Sequence, residues 1–158
     1  MREHTPCRAY MPVLDARDDF RRARRAHGAA RVGRLFGRRM SSVRPRAITD
    51  SLVAPVGVAH LEVVPLRSIV GTVEPTRHFD AEFHPGSEAV RARWERIALA
   101  HRQGIGLPPV SLWQRSDGYY VVDGRHRVSV ARALGHVDID AWVNRCFTQV
   151  GSDEGRQS

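Results

Sequence analysis

The sequence contains no lysine, so all 25 of its basic residues are arginine. We attribute the use of arginine instead of lysine to genome composition, so it does not by itself indicate a phosphate ligand. Cysteine is also scarce: Cys7 and Cys146 are too few and too far apart to predict a disulfide framework or a zinc cluster. Long apolar runs are missing as well. The uncharged runs over residues 51–61 and 103–114 are both well short of the roughly 20 residues that span a bilayer.

The remaining composition fits one globular domain with appended segments. A chain of 158 residues with 42% hydrophobic residues is long enough to bury a core. The first residues include Arg2, Glu3 and Arg8 but not the apolar stretch of a secretory signal. These features predict a cytoplasmic protein that does not contact a membrane.

Positive charge is concentrated in the first third of the chain. Residues 1–46 hold 13 arginines and 4 acidic residues, a net charge of +9, whereas residues 47–158 hold 12 and 13, a net charge of −1. Acidic residues that precede arginines and a thin apolar stripe predict a basic, helical arm over residues 1–46, with a linker over residues 47–57. The arm either folds against its own domain or binds nucleic acid non-specifically through phosphates, and its acidic residues disfavour a transit peptide.

Residues 58–148 show alternating strand and helix signals. A short strand ends at Pro65, and a helix follows with Ser87 as its N-cap and Gly104 as its stop signal. Two strands with a turn at Asp117-Gly118 predict a hairpin, and a second helix and a last strand complete the unit. We therefore predict an α+β domain with a small mixed sheet, followed by a disordered tail over residues 149–158.

The segment VVDGRHRVSVARALG, residues 121–135, reads as a strand, a tight turn and a helix that begins with cations. Cations at a helix N-terminus face the positive end of the helix dipole and unpaired backbone N–H groups, which is unfavourable unless an anion binds there. Arg125, His126 and Arg127 would then be ligands of a phosphate, which the backbone approaches closely at Gly124. Asp123 would cap the helix or reach a metal on the phosphate. In the alternative interpretation, Asp123 only caps the helix and the arginines point into water.

These residues resemble the ParB/sulfiredoxin superfamily over about Val58 to Val143. Gly124 and Arg127 match its G-x-x-R turn, and His126 stands where sulfiredoxin has the histidine of G-C-H-R. The segments LRSIVGTVEPTR and RWERIALAHRQGIGLPPVSLW resemble the boxes that precede this turn. The closest resemblance is to small stand-alone members that carry an arginine-rich N-terminal helix.

The resemblance implies a ParB/sulfiredoxin-like fold and a bacterial protein that binds a nucleoside triphosphate, CTP or ATP, with or without Mg²⁺. It implies a nucleotide site made by residues of the turn and of the first box, namely Asp123, Gly124, Arg125, His126, Arg127 and Arg77. Arg125 replaces the reactive cysteine of sulfiredoxin, so a thiolate mechanism is not expected. The residues after Val143 are too few for the helix-turn-helix of partition proteins, so we expect no site-specific DNA reading.

Two classes of function remain open. The first is a nucleotide-phosphate-binding module that associates with DNA non-specifically through its arm, with a homodimer left open. The second is an enzyme of the same fold, a phosphotransferase or nucleotide hydrolase in which Asp123 with Glu74 or Glu82 assists a metal; a nuclease is a weaker third option. In either case we predict that nucleotide binding depends on Arg127 and Gly124, and that removal of the Arg127 side chain leaves the fold intact.

One further polar cluster lies in the loop before the Ser87 helix. His78, Asp80, Glu82 and His84 alternate, so they would share a face of an extended segment. Proline on both sides favours an irregular, solvated loop instead. We therefore predict that these residues do not form a transition-metal site.

Overall fold

The computed structural model describes residues 11–35, 44–48 and 53–148, which form three α-helices and one six-stranded sheet. The helices are α1 (Pro12–Leu35), α2 (Arg91–Arg102) and α3 (Arg125–Ala133). The strands are β1 (Arg46–Ala47), β2 (Val53–Pro65), β3 (Ile69–Thr72), β4 (Val110–Arg115), β5 (Gly118–Asp123) and β6 (Asp138–Thr148). The predicted α+β class with a small mixed sheet is confirmed.

The strand order of the sheet is β1-β3-β5-β4-β6-β2. Strand β3 runs parallel to β1 and β5, and β4 runs parallel to β6, whereas β4 with β5 and β2 with β6 are antiparallel. Because β3 and β5 are parallel neighbours, with Thr72 opposite Val121, both end at the same edge of the sheet. The loop after β3 and the start of α3 therefore lie side by side, at the kind of edge where open α/β sheets bind ligands.

The hairpin and helix boundaries follow the sequence signals closely. Strands β4 and β5 pair from Arg115 opposite Gly118, which confirms the predicted hairpin. The Ser87 hydroxyl accepts the Ala89 amide at 3.1 Å, as an N-cap does, and a single 3-10 turn over Glu88–Val90 leads into α2. Gly104 follows α2 with φ +69, a left-handed conformation that glycine adopts without strain.

The core lies between the helices and one face of the sheet. Residues of β4, β5 and β6 pack against α3, with Leu112, Val121, Val128 and Val143 almost fully buried. On the other side of α3 the fully buried Trp94 of α2 donates its indole N–H to the Ser129 hydroxyl at 2.8 Å. This bond satisfies the polar atom of a core tryptophan, and it fixes α2 against α3.

Helix α1 packs against α2 through the apolar stripe that the sequence predicted. Phe20 is 1% exposed and meets Trp94 edge-to-face, with ring centroids 5.5 Å apart. Asp19 is also buried and accepts two hydrogen bonds from the Arg102 guanidinium, at 2.6 and 2.9 Å. A two-pronged bond of this kind positions one helix on the other. The described part of the arm is thus joined to the domain, and residues 1–10 and 36–43 of the predicted arm lie outside the described residues.

The predicted linker over residues 47–57 differs from the structure. Its second half is the beginning of β2, where Val53 pairs with Thr148 and Pro55 with Cys146 of β6. The sequence signals predict this strand only from Leu61 onward, because Pro55 and Gly57 read as loop residues. Strand β2 forms one edge of the sheet, where proline is tolerated because its missing N–H faces away from the ladder. The predicted tail, residues 149–158, lies outside the described residues.

None of the helices in the described ranges combines the length and the apolar character that a membrane span requires.

Candidate anion site at the start of helix α3

Helix α3 begins at a glycine that no other residue could replace without strain. Gly124 is the N-cap, with φ 105 and no side-chain cap. A Cβ atom there would lie 2.5 Å from Val110 Cγ1, so the close packing of the turn on β4 also requires glycine. The first amides of a helix have no acceptor within it, and no side chain caps α3, so the amides of residues 125–127 are suited to bind a ligand. The capping role expected for Asp123 is therefore absent, since that residue lies one position earlier.

The Arg127 guanidinium is bound to its own protein. It donates to the carbonyl oxygens of Pro108 and Pro109, the latter at 2.8 Å, and to Asp123 Oδ2 at 2.7 Å. Its side chain is 13% exposed. Arg127 thus connects the start of α3 to the segment that enters β4. The sequence predicts that the Arg127 guanidinium is free to reach a ligand. In the structure this guanidinium also joins two segments of the fold.

Arg125 has a much weaker attachment. Its guanidinium lies 3.3 Å from Glu74, and the Glu74 side chain is 79% exposed. Ion pairs with a partner so open to water are typically weak, so an incoming anion can displace Glu74 at little cost. Of the two arginines in this turn, Arg125 is therefore the one that is available to bind a ligand.

A cavity of about 170 Å³ opens at this helix start, and we call it the α3 cavity. Its lining comes from the turn, from α2 and from the loop after β3: Thr76, His78, Phe79, Val90, Arg93, Ile97, Asp123, Gly124, Arg125, His126 and Arg127. All five residues predicted in the turn are thus brought together. Arg77 is exposed and does not belong to this lining, whereas its neighbours Thr76 and His78 do.

His126 is neutral at physiological pH. Burial, aided by the positive charges of Arg93 and Arg125 and by nearby His78, lowers its pKa to about 4. Its ring also meets Phe79 edge-to-face, with centroids 5.2 Å apart. A neutral imidazole can still donate one hydrogen bond, so His126 can contact an anion without adding a charge.

The charges of the α3 cavity favour an anion. Three arginines from two helices, Arg93, Arg125 and Arg127, line it together with the positive end of the α3 dipole. The one carboxylate in the lining is Asp123, which already pairs with Arg127. Backbone N–H groups, arginine forks and imidazoles are the donors that phosphate groups use in proteins.

Of the lining residues that the sequence patterns do not assign to the site, two carry ionisable side chains, His78 and Arg93. Arg93 lies on α2, far from the turn in sequence, and no local pattern separates it from the exposed Arg96 on the same helix. The sequence pattern places His78 in the polar loop cluster. Only the packing of α2 and the loop against the start of α3 brings them to the same cavity.

The loop cluster has a structural role instead. Asp80 is buried and accepts the amides of Glu82 and His84 at 3.0 and 2.8 Å, and its Oδ2 lies 3.1 Å from Nδ1 of both His84 and His27. Burial alone would raise the pKa of Asp80, but the hydrogen bonds from His84 and His27 hold this pKa below its usual value. Asp80 thus ties the loop to helix α1, whereas His78 belongs to the lining of the α3 cavity. In the described part of the chain, no three His, Cys, Asp or Glu side chains are arranged to hold a metal ion.

Comparison with known proteins finds similarity at the level of structure. No family model matches the chain, and no curated protein matches it either. Sulfiredoxin from Arabidopsis thaliana is similar in structure with a TM-score of 0.40 and 20% sequence identity, over 54% of this chain and 85% of that one.

Proposed function

We propose that this chain is a nucleotide-binding module that holds the phosphates of a nucleoside triphosphate at the start of α3. The observation that carries this proposal is the convergence of three arginines and an uncapped helix N-terminus on one cavity. The resemblance of the G-x-x-R turn to that of the ParB/sulfiredoxin superfamily suggests CTP or ATP as the nucleotide.

The size of the α3 cavity suggests which part of the nucleotide enters it. At about 170 Å³ it is smaller than the roughly 300–1,000 Å³ of pockets that enclose a whole small molecule. It therefore suits phosphate groups, and the sugar and base would lie outside its mouth. Glu74 and Asp123, the carboxylates next to Arg125 and Arg127, are the residues that would face a Mg²⁺ ion carried by the phosphates.

Calorimetric titration of the four ribonucleoside triphosphates, each with and without Mg²⁺, tests the proposal. We expect at least one to bind, and Arg93→Ala to weaken its binding roughly tenfold, the usual effect of losing a charge-assisted contact. Arg96→Ala is the matched control, because Arg96 is exposed on the same helix and does not line the cavity. If no triphosphate binds the native chain, the proposal is wrong.

An enzyme of the same fold is the second candidate. Asp123 lines the cavity and Glu74 pairs with Arg125 beside it, which favours this candidate, because two carboxylates next to a phosphate site can hold the metal of a phosphotransferase or a hydrolase. Incubation of the chain with the bound triphosphate and Mg²⁺, followed by measurement of released phosphate and diphosphate, decides between binding and turnover. If the Asp123→Asn variant still turns over the triphosphate, Asp123 gives no support to the enzyme candidate.

Non-specific DNA binding through α1 remains part of the proposal. Arg17, Arg21 and Arg25 are exposed on the helix whose opposite side packs on α2. Deletion of residues 1–46 would expose Trp94, so replacement of these three arginines by glutamine is the better test. We expect weaker DNA binding and a log–log salt slope that is less steep by about 0.9 for each DNA phosphate that the variant no longer neutralises. An unchanged slope would show that this surface does not bind DNA.

A further inference from the structure

Strand β2 forms one edge of the sheet, and its free side has no partner strand among the described residues. The register of β2 against β6 shifts between Val56 and His60, whereas the pairing from His60 to Pro65 is continuous. Bulges and prolines are common means of keeping an edge strand from pairing with another chain. Because the continuous half of β2 has neither before Pro65, it can accept a further strand.

One face of the sheet beside this edge is apolar and exposed. The helices pack against the opposite face, where Val64 and Ala141 are fully buried. Leu61 and Val63 lie on the face without helices, because neighbouring residues of a strand alternate, and they are 56% and 62% exposed. Trp142 of β6 is the register partner of Leu61 and is 45% exposed. Contiguous apolar side chains that are open to water are typical of a surface that another molecule covers.

The polar residues of the continuous half complement a second copy of the same strand. His60 and Glu62 share the face that carries the helices, and His60 Nε2 lies 2.9 Å from Glu62 Oε2. When two copies of a strand pair antiparallel about a two-fold axis, opposite residues share a face, so the axis passes through one residue of each strand. An axis at Leu61 places His60 of each chain opposite Glu62 of the partner subunit. Opposite-charge and hydrogen-bonding pairs at directly opposite positions stabilise an antiparallel ladder.

The other registers lack this complementarity. An axis at Glu62 would place two carboxylates opposite each other, and like charges there destabilise the ladder. An axis at Val63 would place Leu61 opposite Pro65 of the partner subunit, at the end of the continuous half. An axis at His60 would move half of the pairs into the irregular half of β2. The edge therefore suits a second copy of this chain in one register.

We propose that two copies of this chain associate through β2, with the two strands antiparallel and the two-fold axis at Leu61. The two six-stranded sheets then join into one. Leu61, Val63 and Trp142 of both chains form a shared apolar strip on the face without helices. None of these residues lines the α3 cavity, so the association does not rest on the proposed nucleotide binding.

Analytical ultracentrifugation of the full chain without nucleotide, over a range of concentrations, tests the association. We expect a species with twice the 17.8 kDa mass of one chain at high concentration. Leu61→Lys places two cations opposite each other at the axis, so it should weaken the dimer roughly tenfold or more. Val137→Lys is the matched control: Val137 is apolar and 71% exposed but lies outside β2 and β6, so its substitution should leave the dimer intact.

Substitutions of His60 test the register. His60→Lys keeps a cation opposite Glu62 of the partner subunit, so it should retain the dimer. His60→Glu places four carboxylates together and should weaken the dimer roughly tenfold. A melting curve of each variant shows whether it is folded.

A disulfide reports the position of the axis directly. In a Cys7→Ser background, in which Cys146 is buried, mild oxidation should join Leu61→Cys to its own copy. Directly opposite residues have Cβ atoms about 4.5–5.5 Å apart, close enough for this bond with a small adjustment. Val63→Cys is the control on the same face, because Val63 lies two residues from the axis in each chain and should not cross-link to itself.

A full chain that stays monomeric up to its solubility limit would overturn the inference. A dimer that Leu61→Lys does not weaken would also overturn it, because another surface would then hold the two copies. A dimer that His60→Glu leaves unchanged, or that cross-links through Val63→Cys rather than Leu61→Cys, would place the axis elsewhere and overturn it as well. All of these measurements are made without nucleotide, so their failure would leave the proposed function in place, and a chain that binds no triphosphate could still form this dimer.

Discussion

The two ends of helix α3 carry arginines with different surroundings. At the C-terminal end, Arg132 donates to the carbonyl oxygens of Leu66 and Ile69 at 2.7 and 2.8 Å, and its guanidinium lies 5.1 Å from the centroid of the Phe83 ring. At the N-terminal end, Arg125 pairs with Glu74, an exposed carboxylate. The helix dipole stabilises a cation in the last turn and opposes one in the first.

Residue type and helix position therefore do not assign a role by themselves. Burial disfavours the Arg132 cation and lowers its pKa, but the helix dipole, two carbonyl acceptors and the Phe83 ring all stabilise it without a ligand, so Arg132 contributes to the fold. Arg125 is placed where the dipole disfavours it and its own partner is weak. Arg127 lies between the two cases, because it sits in the first turn and yet binds two backbone carbonyls. Substitutions at these three positions should separate folding from binding.

Arg132→Ala is expected to have the largest effect on stability. The substitution leaves two carbonyl oxygens without their donor and removes the contact with Phe83, so the free energy of unfolding should fall by about 3 kcal/mol. Urea denaturation measures this loss. Nucleotide affinity of the folded fraction should not change, and an unaltered unfolding midpoint would mean that Arg132 is not a structural residue.

Arg127→Ala should lower both stability and affinity. Loss of the bonds to Pro108, Pro109 and Asp123 should cost about 2 kcal/mol of unfolding free energy, offset in part because the dipole no longer opposes a cation. This reverses the expectation from the sequence that the fold would be unaffected. Differential scanning fluorimetry without ligand checks it: a melting temperature equal to that of the native chain would restore the sequence-based interpretation.

Arg125→Ala is expected to affect binding and not folding. Its single ion pair with Glu74 is exposed, so the ligand-free chain should keep its stability, or gain roughly 0.3–1 kcal/mol by removal of a cation from the helix start. Triphosphate affinity should fall roughly tenfold. Paired calorimetry and denaturation on the same sample show both quantities, and a loss of stability similar to that of Arg127→Ala would contradict the comparison.

The last expected effect appears only in acid and is a pH dependence at His126. Its pKa is lowered to about 4 in the folded chain, mainly by burial, from an ordinary value of 6.5. As pH falls from 6.5 to about 4, the unfolded state binds a proton that the folded state does not, so stability should decrease across this window. His126→Phe keeps a ring against Phe79 but cannot be protonated. Its stability should depend less on pH than that of the native chain, and identical profiles would exclude His126 as the cause.

Local patterns in the sequence were sufficient for many parts of the fold. Ser87, Gly104 and the Asp117-Gly118 turn act through residues a few positions away, so their effects are visible in a short stretch of sequence. Local patterns do not predict the beginning of β2, because Pro55 is typical of a loop unless its position at the sheet edge is known. Edge position depends on strand order, which local patterns do not contain.

The start of α3 and its unfavourable cations could be located from the sequence alone, because a strand, a glycine and three consecutive basic residues form a contiguous signal. The role of each of these residues depended on the tertiary structure. Arg127 donates to the carbonyl oxygens of Pro108 and Pro109, whereas Arg125 pairs with the exposed Glu74. His78 and Arg93 line the same cavity from separate elements. Dipole and capping effects act within one turn of helix, whereas burial, hydrogen-bond partners and the shape of a cavity arise from segments that are distant in sequence.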